Sequence, residues 1–162
     1  MAASLSFHDL EKKPDLVVIS PNSPEAMNLY PVECQELGIP YMYDPSQQIP
    51  RMTGDELRKG VEGADSLMVN DYEFCMIQNK TGLTESELLN NLRLMVITRG
   101  AEGAYIYCGN QEVHTPVVPP TEISDPTGVG DAFRGGFLAG VSHNFDLEIC
   151  GKMGALAATY CL

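Results

Sequence analysis

Four short apolar runs alternate along this chain with segments whose apolar residues recur every three or four positions, and that alternation constrains the fold more than any other feature. Leu16 to Ser20 reads as a strand, after which Ala26, Tyr30, Cys34 and Leu37 fall at helical spacing from Pro24 until Gly38 closes the turn. Tyr41 to Tyr43 reads as a second strand, Thr53 as the cap of a helix through Ala64, and Ser66 to Val69 as a third strand. Thr84 and Glu87 make a capping box for a helix through Leu92, which leads into a fourth strand, Leu94 to Thr98. Strands joined by helices of this length predict right-handed crossovers, hence an α/β fold with a mainly parallel, doubly wound sheet and helices on both faces. After Gly103, Ala104 to Cys108 and Glu112 to Val118 flank Gly109-Asn110 and predict a β-hairpin. The proline-rich stretch Pro116 to Pro126 then carries the chain, extended, to a glycine-rich turn and a final pair of helices. With no internal repeat or interdomain linker, residues 1–162 read as a single domain.

Charge narrows the partners. Ten basic residues against 22 acidic ones give a net charge of -12, which repels nucleic acid and anionic membranes, so any bound phosphate must be held by local donors. No run approaches the roughly 18 to 20 apolar residues of a membrane helix, and the N-terminus lacks a basic leader followed by an apolar stretch, so the expected compartment is the cytoplasm. Cys34, Cys75, Cys108, Cys150 and Cys161 are odd in number and never spaced C-x-x-C, which argues against a zinc ribbon or a disulfide framework and for reduced, mostly buried thiols.

The chemistry concentrates between Asp125 and Gly140, in the segment DPTGVGDAFRGGFLAG. Gly128 and Gly130 permit backbone angles and close approaches that a side chain blocks. Val129, Ala132, Phe133, Gly136, Phe137 and Gly140 share one face, which predicts a helix starting here and packing against the sheet. The first turn of such a helix offers unpaired N–H groups and the positive end of its dipole to a phosphate or a developing oxyanion. Asp131 lies in that turn, where both influences favour an ionised carboxylate. Two accounts stand on spacing alone: a general base beside an anion hole, the pairing that phosphoryl transfer needs, or an ordinary helix start in which Asp131 caps and the glycines turn. A Walker A loop is excluded because no G-K-[ST] follows at its spacing. A dinucleotide fingerprint is excluded because Phe133 stands where its third glycine belongs.

The segment Asp125 to Phe133 resembles the second signature of the ribokinase (PfkB) family of sugar and nucleoside kinases. That resemblance implies transfer of the γ-phosphoryl of MgATP to a primary hydroxyl, with Gly128, Val129 and Gly130 in the anion hole and Asp131 as base. It also implies that Asp125 and Thr127 contribute to a monovalent-cation site, with K+ the expected ion. Asn70-Asp-Tyr-Glu73 is similar to the family's N-x-x-E motif, so Asn70 and Glu73 are expected to position a hydrated Mg2+; by themselves they are ordinary loop polar residues. Thr98-Arg-Gly100-Ala-Glu-Gly103 resembles the family's turn toward the nucleotide, which assigns Thr98, Gly100 and Gly103 to ATP; by itself it is a glycine-rich turn into a hairpin.

Within the family, Asp44-Pro-Ser-Gln-Gln48, Asn70-Asp-Tyr-Glu73, Lys80-Thr-Gly82 and Arg134 are similar to bacterial adenosine kinases of the actinobacterial type. By that likeness Gln47 and Gln48 face the nucleoside, and Arg51 and Arg134 lie near the reacting hydroxyl or phosphate. A plain intrahelical ion pair with Asp131 is the other account of Arg134. A sugar remains the alternative substrate. The resemblance runs from about Leu16 to Leu162, whereas family members extend further at both ends. The upstream substrate segment and lid, and the downstream loop that walls adenine, are therefore expected outside this stretch. A partial sheet of this kind is expected to expose apolar edges, to self-associate as a homo-oligomer, and to bind nucleotide without efficient turnover.

Overall fold

A computed structural model of the chain describes residues 5–120 and 125–162. The chain divides into two compact units, Met1–Met95 and Val96–Leu162, and the division falls inside a strand. The strands run in chain order in one mixed sheet of six.

The first unit holds the parallel part. Strand β1 (Val17–Ile19) leads to helix α1 (Pro24–Leu37), β2 (Tyr41–Tyr43), a 3-10 helix (Ser46–Arg51) and α2 (Gly54–Glu62). The chain continues through β3 (Ser66–Asn70), α3 (Asp71–Thr81), α4 (Glu85–Asn91) and β4 (Leu94–Thr98). Val17 stands opposite Tyr41 and Met42 opposite Ser66, so β1, β2 and β3 pair in parallel. Every residue of β2, and Ser66 to Val69 of β3, is buried, as expected of parallel strands covered on both faces. Full burial of side chains such as Leu57 and Leu67, each at 0% exposure, contributes about 1.5–3 kcal/mol apiece.

Local chemistry sets the helix starts. Ser23 caps α1, and α2, α3 and α4 each begin with a complete capping box: Thr53 with Glu56, Asn70 with Glu73, Thr84 with Glu87. Gly38 ends α1 at φ 63°, and Gly82 ends α3 at φ 73°.

In the second unit β5 (Ala104–Cys108) and β6 (Gln111–Thr115) form the antiparallel hairpin, with Ala104 opposite Thr115 and Cys108 opposite Gln111. Two helices follow, α5 (Val129–Ser142) and α6 (Leu147–Cys161). Glycines let these two helices touch backbone to backbone. A Cβ on Gly136 would stand 2.5 Å from the Met153 carbonyl oxygen, and one on Gly140 would stand 2.9 Å from the Cα of Cys150. Helix α6 lies on the hairpin, where Gly151 leaves room for the side chains of Thr115 and Ile106.

Some expectations need adjusting. The glycines of α5 pack on α6, a contact that the expectation of packing against the sheet did not include. Residues 71–81 form a helix that the loop reading of Asn70 and Glu73 missed. The helix capped by Thr53 stops at Glu62, one residue before Gly63, and the second hairpin strand ends at Thr115 because Pro116 supplies no N–H to extend the ladder. Of the five cysteines only Cys34 and Cys150 are buried; all five are free thiols, and burial pushes the Cys34 thiol up to about 11. The proline-rich stretch lies partly outside the described residues, at 121–124.

Candidate active site

Helix α5 opens differently from the four helices before it. Its N-cap is Gly128 at φ 84°, and no side chain closes the turn. The Gly128 carbonyl accepts from Ala132 N–H at 2.8 Å, while Val129 N–H reaches only the Pro126 carbonyl, at 3.4 Å. Among the described residues nothing accepts from the N–H groups of Gly130 and Asp131, so two donors at the positive helix end face outward. A Cβ on Gly130 would meet nothing within 4 Å. Internal packing therefore gives no reason for glycine there, whereas the left-handed angle at Gly128 does give one.

The side chain of Asp131 is 73% exposed and accepts from Arg134 Nη2 at 2.5 Å, so the intrahelical ion pair foreseen for Arg134 is present. Arg134 is only 13% exposed, and burial lowers its pKa. It thus presents a half-desolvated cation next to the carboxylate and the free amides.

The turn before α5 is tied down from two sides. Asp125 Oδ1 accepts from Thr127 N–H at 2.8 Å, and hydrogen bonds from the Thr127 hydroxyl and N–H hold the Asp125 carboxyl below its ordinary range. Cys161 Sγ donates to the Thr127 carbonyl at 3.5 Å, and Asp125 N–H donates to the Leu162 carbonyl. Asp125 and Thr127 are therefore neighbours in one turn.

The glycine-rich turn after β4 is equally specific. Arg99 N–H donates to the Gly103 carbonyl at 2.7 Å, and Gly100 to Glu102 form a 3-10 turn between them. Gly103, at φ 92°, brings its backbone so near Thr115 that a Cβ would stand 2.1 Å from the Thr115 carbonyl oxygen. His114 Nε2 donates to the Glu102 carbonyl at 2.7 Å, and the Arg99 guanidinium sits 4.4 Å above the Tyr105 ring. Thr98, Gly100, Gly103, Val129 and Gly130 line one largely apolar cavity of about 450 Å³ within the second unit, floored by Phe133. That volume suits a flat heterocycle, and Gly130 brings a free N–H to its edge. Asp131 is not among the lining residues.

In the first unit Asn70 Oδ1 accepts from Glu73 N–H at 2.8 Å, and Glu73 Oε2 accepts from Asn70 N–H at 2.9 Å. Each group spends one acceptor on capping and keeps lone pairs over. This suits a hydrated Mg2+ reached through its waters, and among the described residues no group of three or more His, Cys, Asp or Glu could hold an ion directly.

Gln47, Gln48 and Arg51 all lie on the 3-10 helix: Gln47 and Arg51 are exposed, and Gln48 is buried with its Oε1 lacking a donor. Sequence reasoning gave Lys80 no role, although its ammonium donates to the Ile49, Pro50 and Met52 carbonyls at the end of this helix. No local pattern signals that contact, which spans some thirty residues of sequence. No helix among the described residues is long and apolar enough to cross a membrane.

Parallel strands with intervening helices define an α/β fold, with a glycine turn and a carboxylate at the start of α5. The chain matches the pfkB family of carbohydrate kinases over residues 7–162, and it belongs to that family. It is 30% identical over 118 residues to the nucleoside kinase of Methanocaldococcus jannaschii, a match covering 73% of this chain and 39% of that protein. The nucleoside kinase of Burkholderia thailandensis in complex with inosine superposes with a TM-score of 0.88 at 34% identity, covering 98% of this chain and 51% of the other. The solved M. jannaschii enzyme gives 0.88 at 26% identity, covering 98% and 52%. The chain thus spans about half the length of these structures, and less than half of its curated relative.

Proposed function

We propose that this chain carries the phosphoryl-transfer half of a nucleoside kinase, with Asp131 accepting the proton of the attacking primary hydroxyl. The observation that carries the reading is the uncapped start of α5, where a carboxylate stands beside two free N–H groups and a half-buried Arg134. The hydroxyl gives its proton to Asp131 as its oxygen bonds to the γ-phosphorus of ATP, and the bond to the β-phosphate bridging oxygen breaks, leaving ADP. The N–H groups of Gly130 and Asp131 hold charge on the transferring group, and Arg134 adds a cation. The ion pair with Arg134 keeps Asp131 oriented until the hydroxyl arrives. Thr98, Gly100 and Gly103 line the cavity assigned to ATP, Asn70 and Glu73 would hold hydrated Mg2+ through its waters, and the Asp125-Thr127 turn would take K+. Magnesium, when bound, neutralises phosphate charge.

A nucleoside is favoured over a sugar because two similar proteins are named nucleoside kinases and one is described in complex with inosine. Adenosine is the particular nucleoside proposed, from the Gln47-Gln48 pair, whose amides can donate to and accept from a purine edge. The test is nucleoside-dependent release of ADP. Asp131→Asn is expected to cut it by roughly two to four orders of magnitude while ATP affinity and folding persist. An unchanged rate ends the assignment. A second reading, a half that binds nucleotide without turnover, is favoured by the 51% coverage of the B. thailandensis enzyme. Calorimetric ATP binding with no ADP release identifies it.

A further inference from the structure

We infer that Lys80 is a positioning residue for nucleoside recognition, locking the segment that carries Gln47, Gln48 and Arg51 to the far end of the helix that begins at Asn70. The inference rests on the reading of that segment as nucleoside-facing. Lys80 Nζ donates to three backbone carbonyls, Ile49 at 2.8 Å, Pro50 at 3.2 Å and Met52 at 2.8 Å. An ammonium has three donors, so this clamp uses all of them, on carbonyls at the end of a short 3-10 helix, of which Ile49's also accepts from Met52 N–H at 3.3 Å.

The backbone makes the same junction. A Cβ on Gly54 would stand 2.1 Å from the Lys80 carbonyl oxygen, so the residue after Thr53 must be glycine for the two segments to meet. Thr81 and Gly82 finish the arrangement. The Thr81 hydroxyl donates to the Ile77 carbonyl at 2.7 Å and accepts from Leu83 N–H, and Gly82 turns the chain at φ 73°. Lys80, Thr81 and Gly82 thus act in turn as a side-chain clamp, a buried cap and a left-handed stop.

The clamped turn holds Gln48, 9% exposed, whose Oε1 has no donor. A buried amide oxygen left without a partner is costly, and a ligand N–H such as that on a purine edge relieves the cost if the segment stays in register. Asn70 and Lys80 lie about 15 Å apart along α3, so loosening the clamp should leave the Asn70-Glu73 capping box intact. Lys80 is therefore expected to govern nucleoside affinity and not magnesium or ATP affinity.

The experiment compares Lys80→Met, which keeps length and loses the donors, with Lys80→Arg, which keeps them. It uses amide exchange and inosine and ATP binding by calorimetry on the full chain. Lys80→Met should raise the inosine Kd about tenfold and speed exchange at the Gln48 and Met52 amides, with ATP affinity and exchange in β2 and β3 unchanged; Lys80→Arg should restore most of both. Unchanged exchange at Gln48 and Met52 overturns the clamp. Faster exchange with an unchanged inosine Kd, while Gln48→Ala does raise it, overturns the positioning role and leaves the nucleoside reading standing. If the parent chain binds ATP but neither adenosine nor inosine, the nucleoside reading of the segment fails, and the positioning role fails with it.

Discussion

Two helix starts invite comparison, that of α3 at Asn70 and that of α5 at Gly128. One follows a strand and the other a hydrogen-bonded turn, and both carry an acidic residue in the first turn, Glu73 in one and Asp131 in the other. At α3 the acid folds back and, with Asn70, satisfies the N–H groups itself. At α5 the N-cap has no side chain, the acid points outward to Arg134, and two N–H groups have no acceptor among the described residues. The difference lies in the N-cap residue: a short polar side chain closes a helix on itself, whereas a left-handed glycine leaves the positive end available to an anion. The α2 and α4 starts follow the closed pattern, with Thr53 and Thr84 as caps.

The two glycines of the open start should separate most sharply. Gly130→Ala adds a methyl where nothing lies within 4 Å, so folding should be unimpaired, and alanine in a helix should if anything raise Tm. Yet the methyl stands beside the free amides, and ATP-dependent phosphorylation should fall on the order of a hundredfold. Gly128→Ala should instead cost about 1–2 kcal/mol in urea unfolding, because φ there is 84°. A Gly130→Ala protein with parental activity removes the open amides from the mechanism.

The closed start is probed by asking whether its side chains only cap. Asn70→Ala should cost about 1 kcal/mol, read as a lower urea midpoint. Asn70→Ser keeps a capping acceptor, so stability should hold. Under the magnesium assignment it should nonetheless raise the Mg2+ concentration needed for half-maximal rate. If Asn70→Ser matches the parent in both measurements, Asn70 is a cap and nothing more.

This contrast also explains what was legible beforehand. Strands β2 and β4 and helix α1 stand where apolar runs and helical spacing placed them, because burial on both faces leaves few other sequences workable. The glycine turn at Gly128 was legible because a positive φ restricts residue choice. Helix α3 was not, because its pattern of apolar residues is weak, although Asn-x-x-Glu is itself a capping-box signature and could have revealed it. The same two residues invite a structural and a catalytic explanation, and spacing cannot separate them. The Lys80 clamp and the donorless Gln48 depend on which distant segments meet, information that no local pattern holds.

The smallest effect is expected from acid. Backbone hydrogen bonds from Thr53 and Thr84, followed by bonds from their hydroxyls, hold the Glu56 and Glu87 carboxyls below their ordinary value of 4.5. A carboxyl with a lowered folded pKa binds its proton more weakly in the folded chain than in the unfolded one. Its contribution is therefore whole above about pH 4.5 and is lost as pH falls through the lower folded value. The urea midpoint should hold between pH 7 and 5 and decline below that, and Glu56→Gln with Glu87→Gln should make the decline shallower. Glu87 is exposed and Glu56 partly so, so the change is small, and Asp125 and Glu148, also lowered, keep part of the slope in place. The open start at Gly128 has no carboxylate bonded to its own N–H groups, so acid should reach α5 only through the Asp125–Thr127 turn before it, whereas α2 and α4 lose their caps directly, as amide exchange at each helix start will report. Should α5 lose protection first, the closed starts are not the acid-sensitive ones and the contrast between them and Gly128 fails.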